Sequence, residues 1–111
     1  MTEKLLQFIW RLQYYNRKDL VLESGENLQI IFPGNHNNHQ GPDFLEAKIK
    51  IDNTVFAGNI ELHVYASDWE KHFHTGDKNY RNIILHVVWE NDEPRYRQQR
   101  HEQKRHLMVG M

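Results

Sequence analysis

The stretch Gly41–Tyr65, GPDFLEAKIKIDNTVFAGNIELHVY, decides the fold. From Phe44 to Ile51 the side chains alternate. Leu45, Ala47, Ile49 and Ile51 fall on one face, and Glu46, Lys48 and Lys50 on the other, as in a half-buried strand. Asp52-Asn53 reads as a tight turn, after which Thr54–Tyr65 alternates again. Past Gly58, Ile60, Leu62 and Val64 point one way, and Asn59, Glu61 and His63 the other. An antiparallel hairpin is therefore the expected nucleus of a sheet.

Outward from the hairpin, Thr2 can cap a helix starting at Glu3. Leu5, Phe8, Ile9 and Leu12, with Leu6 and Trp10 beside them, give it a wide apolar stripe, and Asn16 suits a left-handed stop. Leu20–Leu22 reads as a short strand, Ser24-Gly25 as a turn and Leu28–Phe32 as the returning strand. Pro33-Gly34-Asn35 ends it, and a polar loop with His36 and His39 follows. Ser67 or Asp68 is placed to cap a short helix. The nearly all-apolar run Ile83–Trp89 suits a central strand buried on both faces. The expected fold is α+β, α/β/α-like, with a mixed four- to five-stranded sheet, a long N-terminal helix and a short second helix. One domain is expected over residues 1–94, and a flexible basic polar tail over 95–111.

The 111 residues suffice for one domain with a modest core. The absence of cysteine excludes disulfides and thiolate zinc sites, and fits a reducing compartment such as the cytoplasm. No apolar run approaches the roughly 20 residues of a membrane helix, so no membrane association is expected. The net charge of −1 hides an asymmetry. From Arg95 onward there are five Lys or Arg against Glu102 alone, which makes that segment +4 and the remainder −5. An acidic body does not attract a phosphate backbone by itself, so such attraction has to come from the basic segment or from a bound cation.

Asp43 at the start of one strand, with Glu61 and His63 two residues apart on its neighbour, is the candidate site. Carboxylates on adjacent strands can hold a magnesium or manganese ion that stays partly hydrated. A neutral imidazole beside them can take a proton from water. Asp43 and Glu61 are thus the candidate metal ligands, and His63 the candidate base. A rival grouping is His72-Phe73-His74 with Asp77, an H-x-H pair plus an acid of the kind that cupin-like metal-binding domains use; Glu70–Asn79 lacks the alternation of a barrel strand. His86, within an apolar strand, reads as a core histidine, and Trp10, Trp69 and Trp89 as packing residues.

The order helix, strand, strand with Pro42-Asp43, strand with Glu61-x-His63, helix, strand resembles the PD-(D/E)XK nuclease-like superfamily, with its restriction-endonuclease-like core. The wording GPDFLEAKIKI, AGNIELHVYASDW and YRNIILHVVWEND is similar to an uncharacterised bacterial family of unknown function grouped with those nucleases, over Leu5 to Asp92. The resemblance implies divalent-metal-dependent hydrolysis of phosphodiester bonds in DNA or RNA. Asp43 and Glu61 would bind Mg2+ or Mn2+, and the position of His63 would serve where the superfamily has a Lys that orients water. Histidine lacks that fixed charge and would move metal preference toward manganese or zinc, or leave the site inactive. The superfamily often adds an acid from the first helix, for which Glu3 is the one available. Its members run on past the last strand, so the chain is expected to be an N-terminal fragment. The alternative expectation is an inactive nucleic-acid-binding or assembly module on the same fold.

The hairpin raises a geometrical problem. With a two-residue turn Ile51 faces Thr54, Asp43 faces Leu62, and Asp43 and Glu61 lie on opposite faces of the sheet. A shared cation then requires an irregularity. The sequence places it as a bulge at Ala57-Gly58, a longer turn, or a distortion at Pro42.

Overall fold

The computed structural model describes residues 1–67, 82–90, 92 and 105–110. Helix α1, Glu3–Leu12, is capped by Thr2, whose side chain accepts a hydrogen bond from the Leu5 amide at 3.1 Å. The helix stops at Gln13, not at Asn16. Gln13 takes a left-handed conformation (φ 56°), the Tyr14 amide donates to the Ile9 carbonyl, and the Gln13 side-chain amide donates to the Trp10 carbonyl. A side chain able to satisfy an orphan carbonyl outweighed the conformational preference of asparagine.

The strands are β1 (Leu28–Phe32), β2 (Asn35–His36), β3 (Phe44–Ile51), β4 (Thr54–Tyr65), β5 (Ile83–Glu90) and β6 (His106–Met108). They form one mixed sheet in the order β1-β3-β4-β5-β6, with β2 paired to the start of β3. It curls into a half-barrel with α1, an α+β fold. β1, β3 and β4 are antiparallel, and β4, β5 and β6 run parallel. Leu20–Leu22 makes only an isolated bridge, Val21 to Asn27, in place of the expected strand. His36, read as loop, joins β2. The expected short second helix, with Asp68 and Trp69, falls outside the described residues, while the Ser67 hydroxyl and amide both donate to Asp92.

The segment after Arg95 is not wholly a tail. Its His106–Met108 pair with β5, and Leu107 is buried beside Val87. This three-residue strand at the end of a polar sequence completes the sheet edge, because β5 is largely apolar on both faces and needs a neighbour on each side.

One face of the sheet carries Phe44, Ala47, Ile49, Ile60, Leu62, Leu85, Val87 and Leu107 into a core shared with Leu6 and Trp10 of α1. The Trp10 indole N–H donates to the Pro33 carbonyl at 3.0 Å, which fixes the helix over the β1–β2 turn.

Candidate functional site

The β3–β4 ladder starts as the sequence predicts, with Ile51 opposite Thr54 and Ala47 opposite Gly58. It then changes register: Phe44 stands opposite Ile60. Three steps along β3 therefore match two along β4, which is a bulge, and it lies on β3, not at Ala57-Gly58 or Pro42. Glu46 is the bulged residue. Its φ is 58°, and its amide donates to the Asn59 side chain at 3.1 Å in place of a ladder carbonyl. Leu45 leaves the inner face and Phe44 takes its place, buried completely. Gly58 serves another purpose. A Cβ there would lie 2.5 Å from Ile84 Cγ2 and 2.7 Å from the Asn82 carbonyl, so its lack of a side chain lets β5 approach β4.

Continuing the shifted register by one residue sets Asp43 opposite Glu61, on one face. Asp43 Oδ2 accepts from the Leu62 backbone N–H, and Oδ1 from the Gln7 side-chain amide, each at 2.8 Å. Both oxygens are held by donors, and each keeps a lone pair. Glu61 differs. It is 6% exposed, and its pKa is pushed up to about 10, first by burial, then by the charge of Asp43, with Glu3 adding to it. Beside Asp43, Glu61 thus resists ionisation. Glu3, the acid of the first helix, does lie within electrostatic reach of the pair.

His63, 1% exposed, sets Nε2 3.2 Å from Glu61 Oε2. Beyond it runs a row of imidazoles across the parallel strands. His63 and His86 meet edge to face with centroids 4.7 Å apart, and His86 and His106 do the same at 4.7 Å. His86 is buried, as its apolar strand implied. Sequence reasoning missed His106 and Gln7. His106 sits in a stretch without periodicity, and Gln7 is an ordinary helix residue whose role depends on a contact 36 positions away. His72, His74 and Asp77 fall outside the described residues.

Whether a cation suits this place can be judged from the donors. Glu61 Oε1 is buried without a hydrogen-bond partner among the described residues. Among the described residues no three His, Asp or Glu side chains converge as a metal centre. A closed zinc-type cage is therefore not the match. An oxygen-seeking ion that takes two carboxylates and keeps its water fits the donors present.

Residues 3–108 match the model of a family described as protein of unknown function, DUF2851. The chain belongs to this family. The match takes in α1, the hairpin with its bulge, and β6 with His106, so all of the site's residues lie inside the family's domain. No curated protein and no solved structure matches the chain. No helix among the described residues is long and apolar enough to cross a membrane.

Proposed function

We propose that this DUF2851 domain is a divalent-metal-dependent, nuclease-like phosphodiesterase acting on DNA or RNA, with Asp43 and Glu61 as ligands of Mg2+ or Mn2+ and His63 as proton acceptor. One observation carries the reading: a bulge turns Asp43 to the face of Glu61, where a regular ladder would have kept the acids apart. A fold that stabilises two abutting acids by protonating one of them accepts an electrostatic cost that a cation would remove. Once bound, the ion would stabilise charge on the phosphoryl oxygens.

The protein's own groups have distinct roles. Asp43, fixed by Gln7 and the Leu62 amide, is the positioned ligand. Glu61 turns Oε2 to His63 and leaves Oε1 for the ligand side. The attacking water gives its proton to the neutral His63 imidazole, and Glu61 would hold the ion as a carboxylate whose Oε2 accepts from the resulting imidazolium. His63 is neutral before the step and charged after it, so it has no need of the fixed charge that a lysine brings. The test is cleavage of labelled single- and double-stranded oligonucleotides with Mg2+ or Mn2+, comparing wild type with Glu61→Gln. Metal-dependent cleavage that falls at least a hundredfold in the variant is expected. Equal activity in both ends the catalytic assignment.

A second reading, a binding or assembly module without catalysis, is supported by Ile31 and Phe32 on β1 and Val55 on β4, all exposed apolar side chains on the sheet. It predicts no metal-dependent cleavage by either protein.

A further inference from the structure

Lys4 lies three and four residues before Gln7 and Phe8, and Arg11 four and three residues after them, so the four side chains share one face of α1. With His36 of β2 they line a shallow groove of about 150 Å3. Gln7 belongs to both places: it lines this groove, and its side-chain amide holds Asp43 Oδ1. The groove and the acid pair thus have Gln7 as a common neighbour. They differ in charge. Lys4 and Arg11 are exposed and make no ion pair among the described residues, in a body whose overall charge is negative. Between them Phe8 is half exposed and meets the 68% exposed Tyr14 edge to face at 6.2 Å. Two aromatic rings open to solvent, flanked by two cations, are what a strand with unstacked bases and a charged backbone can use.

A larger groove, about 580 Å3, lies between Arg17, Asp19, Lys50 and Asp52. It balances two cations against two acids and has no side chain in common with the acid pair.

We infer that the α1 groove is a subsite for single-stranded nucleic acid, with Lys4 and Arg11 on phosphates and Phe8 under a base, and that it feeds the phosphodiester past Gln7 to Asp43 and Glu61. This deepens the proposed function and rests on it for the last step only. A single strand is favoured over a duplex because Phe8 offers a flat ring, which a stacked base pair cannot use, and the groove is too small to admit a double helix.

The test uses the full chain and fluorescein-labelled dT20, with binding followed by anisotropy in EDTA across a salt series, so that neither cation nor cleavage enters. Lys4→Ala/Arg11→Ala is expected to weaken binding at least tenfold and to reduce the salt slope by about 1.4, at roughly 0.7 per phosphate contact on a single strand. Phe8→Ala is expected to weaken it about 5- to 150-fold with the slope unchanged. All three side chains are at the surface, and circular dichroism establishes that the variants fold. Unchanged affinity and slope in the double variant, or tighter binding of a duplex of equal length, overturns the subsite. If dT20 binds through these residues and no divalent ion supports cleavage, the catalytic reading fails while the subsite stands. Metal-dependent cleavage with the groove variants binding normally gives the reverse.

Discussion

Glu61 concentrates the electrostatics of the protein in one side chain. Its ordinary value of 4.5 rises to about 10 in the fold, because burial and the Asp43 charge both oppose ionisation. The sign of the consequence follows from proton counting. Between these two values the folded state holds a proton that the unfolded chain has released, so stability is complete below pH 4.5 and declines as pH rises toward 10. The slope reaches at most about 1.4 kcal/mol per pH unit for one group. Urea denaturation without divalent ions should therefore show wild type losing stability from pH 5 to 9, and Glu61→Gln, which cannot ionise, losing much less. Parallel curves for the two proteins would show that Glu61 ionises normally in the fold. The identity of this residue was readable from its place beside His63 on an alternating strand. Its burial was not, because alternation reports which side chains share a face and not what lies over that face.

Among the elements, the strands whose periodicity is strong are where the sequence puts them: β1, β3, β4 and β5 all match their predicted spans closely. The bulge between β3 and β4 was legible only as a necessity. Phe44 and Leu45 are both apolar, so either can serve the inner face and the pattern reads equally well in both registers. Glu46 gives no sign of a left-handed backbone, since glutamate rarely adopts one. What settles the register is tertiary: Phe44 fills the core, and the Asn59 side chain receives the Glu46 amide. Glu46→Val, a β-branched residue that resists the left-handed backbone of the bulge, should drive the ladder to the regular register and set Asp43 opposite Leu62, on the wrong face. Calorimetry should then find Mn2+ binding lost or weakened at least tenfold, in a protein whose circular dichroism still shows the sheet. Binding at wild-type strength in this variant would mean that the bulge does not assemble the site.

On the scale of the whole molecule, a curled sheet gathers groups from distant parts of the chain. α1 supplies Gln7 and Glu3, the β3–β4 hairpin the acids and His63, β5 His86, and the last strand His106. The last of these was hidden because a three-residue strand in a basic, glutamine-rich segment has no periodicity to detect; it forms because β5 offers an unpaired, apolar edge. The overall charge of −1 likewise conceals a molecule that sets an acid pair next to a basic groove. The proposed function depends on Asp43 and Glu61 holding one ion between them. Crystals of the wild-type protein grown with Mn2+ and measured at the manganese absorption edge test that most directly. An anomalous peak is expected between the two carboxylates, about 2 Å from an oxygen of each. A saturated crystal with no peak there, or with manganese only at other sites, would contradict it.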